Sequence, residues 1–168
     1  MSEENGLERK IYSINKDGTG LSCLDKKSGN HSVQMSTGGK YFVHQFSTLN
    51  TLPKYRIVDQ NWNEIRVLED NAALQKKMTE FNFKEVQLSS IKNRNGESLN
   101  ALTIKPKNFD PSKKYPVFMF LYGGPGSQQV RDSWRGTNYW WFQMLAREGY
   151  LIACVDNRGT GGRGETFK

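Results

Sequence analysis

The chain has 168 residues, a length that fits one ordinary domain or two small ones. Nine Phe, seven Tyr and four Trp favour a packed core over intrinsic disorder, and the absence of an apolar run of roughly 18 residues predicts no membrane span. The net charge of +7 arises entirely in residues 71–168, because residues 1–70 carry nine basic and nine acidic side chains.

Short β-type segments separated by turn residues fill the first part of the chain. Residues 9–25 predict two strands around Asp17-Gly18, a favoured hairpin pair. Four further strands are predicted in "HSVQMS", "KYFVHQFS", "KYRIVDQ" and "NEIRVLED". The segments between them, "TGG", "TLNTLP" and "QNWN", are expected to be turns. Four successive strands are the content of one propeller blade, which cannot bury both its faces alone. Residues 1–70 are therefore predicted to be the end of a β-propeller domain.

The histidines and cysteines are expected to be structural. His31 begins one predicted strand and His44 lies in the middle of the next, with no nucleophile motif, Cys or acidic cluster beside them. We therefore predict that both pack on a sheet face, and we predict neither a metal site nor a cofactor. Cys23 and Cys154 lie far apart, in or beside apolar runs, which favours buried free thiols over a disulfide framework.

Residues 71–168 predict a mixture of helices and strands. Residues 70–81 predict a short helix with Asp70 or Asn71 as its N-cap. Residues 84–104 predict a β-hairpin around Asn95-Gly96. The unbroken apolar run "YPVFMFLY" is typical of a strand that is covered on both faces.

A strand–helix–strand unit is predicted to follow. In "NYWWFQMLAREGY", apolar residues at helical spacing (Trp141, Met144, Leu145) precede Gly149, a natural residue to end a helix. The apolar strand "YLIACV" comes next and leads into Asp156. A crossover of this kind joins parallel strands, whose carboxyl ends gather the chemistry of a sheet. The glycine-rich segments "YGGPGS" and "DNRGTGGRG" both lie at that edge.

Neither glycine-rich segment matches a phosphate-binding loop. The eight residues from Gly159 to Thr166 have the spacing G-x-x-x-x-G-K-[ST], but Glu165 replaces the lysine and would repel phosphate. The turn around Pro125 lacks the third glycine of a dinucleotide-binding turn. Two interpretations of "DNRGTGGRG" remain. It is a tight turn stabilised by the Asp156 and Arg158 side chains, or an Arg/Gly-rich contact for RNA.

Two segments together resemble a known family. "LYGGPGSQ", followed about 30 residues later by "VDNRGTGGRG", resembles the start of the α/β-hydrolase domain in prolyl oligopeptidase-type serine peptidases. The tyrosine directly before "GGPG" is similar to the dipeptidyl peptidase IV branch, since other branches tend to carry histidine there. "LERKIYSINKDGTG", "GNHSVQMSTGGKYFVHQFST" and "VLEDNAAL" resemble the last propeller blades of that branch and the crossing into the hydrolase.

The resemblance implies a mixed fold: C-terminal β-propeller blades in residues 1–70, followed by an incomplete α/β-hydrolase domain in residues 71–168. It implies a peptidase that removes dipeptides after proline, or alanine, from peptides with a free N-terminus. Tyr122 matches the tyrosine of the family's oxyanion hole, where a phenol O–H stabilises the negative charge on the scissile carbonyl oxygen. The resemblance further implies a periplasmic or secreted enzyme, often a homodimer.

The chain also departs from the family's pattern. It contains no G-x-S-x-G nucleophile elbow, so the Ser-Asp-His triad is expected beyond Lys168. The acidic residues that bind the substrate amine are expected before Met1. We therefore expect a fragment that has no peptidase activity by itself.

Two alternatives stay open at this point. One is a basic nucleic-acid-binding module that uses scattered arginines, namely Arg131, Arg135, Arg158 and Arg163. Because these arginines form no continuous stripe, the sequence favours no nucleic-acid partner. The other is a related α/β-hydrolase, such as an acylaminoacyl peptidase or an esterase, against which the tyrosine before "GGPG" counts.

Overall fold

The computed structural model describes residues 6–168; residues 1–5, where the predicted propeller region begins, lie outside the described residues. The described part is predominantly β-structure with two α-helices. In chain order the elements are β1 Tyr12–Ser13, β2 Ser22–Cys23, β3 Asn30–Met35, β4 Tyr41–Thr48, β5 Thr51–Asp59, β6 Glu64–Glu69, α1 Ala72–Glu80, β7 Gln87–Lys92, β8 Ser98–Ile104, β9 Val117–Phe120, α2 Thr137–Arg147 and β10 Leu151–Val155.

The chain divides into two compact units. Unit 1 runs up to Lys77 and includes Asp132–Trp134, while unit 2 contains Met78–Arg131 and Arg135–Lys168. Neither helix in the described range 6–168 is long and apolar enough to cross a membrane.

Unit 1 is built on an antiparallel four-stranded sheet in the order β3-β4-β5-β6, which confirms the four predicted strands. The prediction that "TLNTLP" separates two of them is wrong, because only Leu49 and Asn50 lie between β4 and β5. Pro53 therefore lies inside a central strand, next to the register shift between Phe46 and Thr48. Such an irregularity accommodates a residue that has no backbone N–H to donate.

The predicted hairpin around Asp17-Gly18 is present but short. Strands β1 and β2 have two residues each and pair Tyr12 with Cys23. The Asp17 Oδ1 accepts the backbone N–H of Thr19 at 2.9 Å, and Gly18 has φ 84°. A turn with a left-handed residue favours glycine at that position.

Unit 2 contains a mixed four-stranded sheet in the order β7-β8-β10-β9. The hairpin β7–β8 is confirmed, with Gly96 at φ 81° in its turn. Strand β10 is antiparallel to β8 and parallel to β9, so the predicted strand–helix–strand unit is confirmed as β9–α2–β10. Gly149 ends α2 as predicted, with φ 94° and its N–H bonded to the Ala146 carbonyl.

Helix α1 also forms as predicted. The Asp70 Oδ1 accepts the N–H of Ala72 at 2.8 Å, and the Asn71 carbonyl accepts the N–H of Gln75. Asp70 therefore satisfies a backbone donor that the first turn of the helix leaves without a partner.

The burial of strand β9 differs from the sequence prediction. Strand β9 alternates, so Phe118 and Phe120 contact Phe142 of α2 while Val117 and Met119 are more than half exposed. The prediction that this strand is covered on both faces is therefore wrong for the described residues. Helix α2 buries Tyr139, Phe142, Gln143 and Ala146, and leaves Trp141 and Met144 about half exposed.

Candidate active site

The candidate site lies at the edge of the unit 2 sheet where β9 and β10 end. Because these strands are parallel and Phe120 pairs with Cys154, the residues two positions further on, Tyr122 and Asp156, emerge at the same edge. This is the edge at which parallel sheets place their functional groups. The glycine-rich segments identified in the sequence both start here.

Tyr122 opens the Tyr122 turn, which we define as residues 122–130. Its side chain is 68% exposed, and its ring lies against the backbone of Gly124. A Cβ atom at position 124 would lie 2.4 Å from the ring carbon Cε1 of Tyr122. Glycine at this position therefore leaves the space that the phenol ring occupies, and the ring is not folded into the core.

The loop after β10 fastens the middle of the Tyr122 turn. The Gly126 N–H donates to the Gly159 carbonyl at 3.0 Å, and the Gly161 N–H donates to the Ser127 carbonyl at 3.2 Å. The two backbones approach so closely that a Cβ on Gly161 would lie 2.7 Å from the carbonyl oxygen of Gly126. The spacing of glycines in "GTGG" thus serves backbone contact between two loops.

Asp156 fastens the far end of the Tyr122 turn. Its carboxylate is 4% exposed and accepts the backbone N–H groups of Gln129 at 2.8 Å and Val130 at 2.9 Å. Burial raises the pKa of the Asp156 carboxyl, while these two N–H groups and the nearby Arg135 and Arg131 oppose that rise. The sequence predicted that Asp156 stabilises the turn after β10, whereas the structure shows its carboxylate holding the turn after β9.

Three of the four arginines considered for nucleic-acid binding make contacts inside unit 2. Arg158 forms an ion pair with Glu97 at 2.8 Å, so it does not stabilise its own turn as predicted. The Arg163 guanidinium lies 3.9 Å from the centre of the Phe167 ring. Arg135 lies over the rings of Phe120 and Phe142 and donates to the Gln129 carbonyl.

Cys154 offers no competing nucleophile at this edge. The side chain is fully buried, and burial raises the pKa of its thiol to about 11. A thiol with such a pKa is protonated at neutral pH and is a poor nucleophile. Both cysteines are free, and Cys154 is buried as predicted while Cys23 is partly exposed.

A second polar cluster lies in unit 1, around His31 and His44. Both side chains are buried, with His31 Nδ1 3.0 Å from His44 Nε2. The Arg56 Nε–H donates to His44 Nδ1 at 3.0 Å, so neutral His44 carries its proton on Nε2 and donates to His31. His31 then carries its proton on Nε2, which lies 2.8 Å from the Lys27 carbonyl. Each imidazole nitrogen therefore has a partner of the right kind.

The cluster also contains Asp25, which the sequence did not place near the histidines. Ligand atoms of Asp25, His31 and His44 lie within 4.8 Å of one another, a spacing that could hold a metal ion. However, a metal bound to His44 Nε2 would require a proton on Nδ1, where the Arg56 N–H already donates. The Arg56 guanidinium also bonds to the Asp25 carboxylate at 2.8 Å. The contacts therefore favour a hydrogen-bonded network over a metal centre.

The strand register was the signal that could have revealed this network. His44 pairs directly with Arg56 across β4 and β5, and it pairs with Val33, two residues after His31, across β3 and β4. Side chains two positions apart on a strand share one face. A correct register from the sequence would therefore have placed all three polar side chains together.

We expect His44 to stay neutral well below the usual histidine range. Burial, together with the positive charge of Arg56, lowers the pKa of His44 from 6.5 to about 4. Because the folded-state pKa is below the unfolded one, stability is fully present above pH 6.5 and is lost as the pH falls towards 4. NMR titration of the imidazole resonances, with His44→Gln to assign them, should give a midpoint near 4. A midpoint near 6.5 would contradict the buried network.

The sequence of this chain is similar to those of known dipeptidyl peptidases. The sequence is 34% identical over 172 aligned residues to a probable dipeptidyl-aminopeptidase B of Arthroderma benhamiae, covering 99% of this chain and 18% of that protein. It is 32% identical over 165 residues to a dipeptidyl peptidase 4 of Arthroderma otae, covering 95% of this chain and 21% of that protein. No family model matches the chain.

The fold is also similar to that of solved dipeptidyl peptidases. Porphyromonas gingivalis dipeptidyl peptidase 4 matches with a TM-score of 0.90 and 35% identity, over 99% of this chain and 23% of that one. A putative dipeptidyl aminopeptidase IV from Bacteroides ovatus matches with a TM-score of 0.73 and 29% identity, over 93% of this chain.

Sequence and backbone together identify this chain as a relative of the dipeptidyl peptidases, as predicted. More particularly, it is homologous to a segment of the proteins named dipeptidyl peptidase 4 and dipeptidyl-aminopeptidase B. The chain spans about a fifth of the length of the curated relatives that it matches.

Proposed function

We propose that this chain is part of a serine exopeptidase that releases N-terminal dipeptides after proline or alanine. The observation that carries the proposal is the likeness to dipeptidyl peptidase 4 over 99% of the chain, together with the exposed phenol of Tyr122 at the sheet edge. Unit 1 would then be the end of a β-propeller, and unit 2 would be the opening part of an α/β-hydrolase domain.

In this proposal Tyr122 is a catalytic residue that stabilises negative charge. When a serine attacks the scissile carbonyl group, the carbonyl oxygen becomes the alkoxide of a tetrahedral intermediate. Hydrogen-bond donors that are already in place stabilise this negative charge. The Tyr122 hydroxyl would donate one such bond, and a backbone N–H beside the serine would donate another. Collapse of this intermediate breaks the scissile C–N bond, so the rest of the peptide leaves as an amine and the dipeptide stays on the serine as an acyl-enzyme. Water then hydrolyses the acyl-enzyme and releases the dipeptide.

The remaining parts of the active site would come from other segments. The 168 residues contain no G-x-S-x-G elbow, so the serine nucleophile would be supplied elsewhere in the full-length protein. We propose peptides with a free N-terminus as substrates, a secreted or periplasmic location and assembly into a homodimer. No metal or cofactor is needed for this chemistry.

The internal contacts of the arginines count against the nucleic-acid alternative. Arg158 is the one exposed arginine of the four, and it pairs with Glu97, while Arg163 lies over the ring of Phe167. Binding phosphate would require these contacts to be given up. A related acylaminoacyl peptidase or esterase is less favoured because the named relatives are dipeptidyl peptidases.

The proposal is tested with the purified full-length protein that carries this segment. A chromogenic Gly-Pro substrate should be cleaved, while the same substrate with an acetylated N-terminus should be cleaved at least about 100-fold more slowly, since the lost amine leaves buried binding partners unpaired. The 168-residue chain alone should release no chromophore, because it lacks a nucleophile elbow. Equal cleavage of both substrates would contradict an exopeptidase, and activity of the isolated chain would contradict a nucleophile from elsewhere.

A further inference from the structure

We infer that Asp156 is a positioning residue for the Tyr122 hydroxyl, because its buried carboxylate anchors the far end of the Tyr122 turn. The inference rests on the proposed function and extends it to a residue that does not touch the substrate. It assigns to the "DNRG" segment a role in catalysis that acts through backbone hydrogen bonds.

The anchor has the features of a specific acceptor. An ionised carboxylate has two acceptor oxygens and no donor, so it can accept two converging N–H groups. Asp156 accepts those of Gln129 and Val130 at 2.8 and 2.9 Å. Val130 is fully buried, so its N–H has no access to water as an alternative partner. Losing this acceptor would leave a buried donor unsatisfied, which forces the turn to move.

Asp156 is itself held by the sheet. Its backbone N–H donates to the Asn100 carbonyl at 2.9 Å, directly after the four paired residues that β10 shares with β8. The carboxylate therefore projects from a strand end that is fixed by hydrogen bonds. Because it accepts two N–H groups of the Tyr122 turn, it restricts the movement of that turn as well. Catalytic groups on rigid supports keep the geometry that charge stabilisation requires.

The anchor reaches Tyr122 through a short chain of contacts. Inside the Tyr122 turn, both the N–H and the Oγ–H of Ser127 donate to the Gly124 carbonyl, at 3.1 and 2.7 Å. Gly124 in turn carries the Tyr122 ring against its backbone. A displacement at Gln129 and Val130 is therefore passed to the residue on which the phenol rests.

The test is a double-mutant cycle in the full-length protein, with Asp156→Asn, Tyr122→Phe and the combined variant. An asparagine presents an NH₂ group to one of the two N–H donors, so one hydrogen bond becomes a repulsive contact. We expect Asp156→Asn to lower kcat by about 10- to 100-fold with KM changed less than about threefold. In the Tyr122→Phe background the same change should have little further effect on kcat, because the hydroxyl it positions is already gone.

Asp110→Asn is the matched control. Asp110 also accepts a backbone N–H, from Ser112 at 3.0 Å, but it lies in the loop before β9. Its substitution should leave kcat within about twofold of the unchanged protein. An effect of Asp156→Asn no larger than this control, or an equal loss of kcat with and without the Tyr122 hydroxyl, would overturn the inference.

Two further measurements keep the inference testable if Asp156→Asn folds poorly or Tyr122 proves dispensable. Gly161→Ala leaves the carboxylate intact but places a Cβ 2.7 Å from the Gly126 carbonyl, so it should lower kcat only when the Tyr122 hydroxyl is present. If Tyr122→Phe alone leaves kcat unchanged, the proposed oxyanion role fails. Hydrogen exchange then decides the anchor separately: faster exchange of the Gln129 and Val130 amides in Asp156→Asn supports it, and unchanged exchange overturns it.

Discussion

Replacing Tyr122 by phenylalanine is expected to lower the kcat of the full-length protein by about 10²–10³-fold and to change KM little. The phenyl ring fits the same space against Gly124, so the substitution removes only the hydroxyl. The hydroxyl would form a strong hydrogen bond to the alkoxide and a weak one to the uncharged carbonyl of the bound substrate. Its loss should therefore lower kcat and change KM little. Steady-state kinetics with a chromogenic Gly-Pro substrate measure both constants.

Tyr41→Phe provides the control for this prediction. Tyr41 is also about half exposed, but it lies at the start of β4 in unit 1, far along the chain from the candidate site. Its substitution should leave kcat within about twofold, because exposed side chains outside the site contribute little. If the two variants had the same kcat, Tyr122 would lose its catalytic assignment.

Replacing Leu102 by alanine is expected to lower the free energy of unfolding by about 2–5 kcal/mol. Leu102 is fully buried in β8, between Leu88 of β7 and Cys154 of β10, so the lost methyl groups leave a cavity in the sheet core. Urea unfolding of the 168-residue chain measures the change. Leu21→Ala, at a site 56% exposed, should cost less than about 1 kcal/mol, and equal costs would contradict the assigned core.

The order of elements was predictable because local signals agree with the fold. The four strands β3–β6 follow from β-branched and aromatic segments between turns, and the β7–β8 hairpin follows from Asn95-Gly96. The strand–helix–strand unit follows from two apolar runs that flank a helical pattern ending at Gly149. These patterns are set by residues that are close in sequence.

Burial was less predictable because it depends on what packs against each face. Strand β9 is apolar throughout, yet only Phe118 and Phe120 contact α2. The helical pattern also left open which side of α2 is buried, since aromatic residues occur all around it. Tyr139 and Phe142 lie inside, whereas Trp141 is about half exposed.

The polar networks were not predictable because they join residues far apart in sequence. Asp156 lies 27 residues from Gln129, and only the pairing of β9 with β10 brings the two loops together. His44 meets Arg56 only when the register of two strands is known, and a slip of one residue would turn the side chains to opposite faces. Tyr122 became a candidate only through the family resemblance of the residues around it, since one exposed tyrosine carries no distinguishing local pattern.

The most direct test of the proposed oxyanion role of Tyr122 is a crystal structure of the full-length protein with a prolyl boronic acid bound to the proposed serine nucleophile. The tetrahedral boronate places an oxygen where the alkoxide forms during peptide cleavage. We predict that the Tyr122 hydroxyl lies about 2.5–3.0 Å from that oxygen. A hydroxyl that points away from the boronate, at a distance beyond about 4 Å, would contradict it.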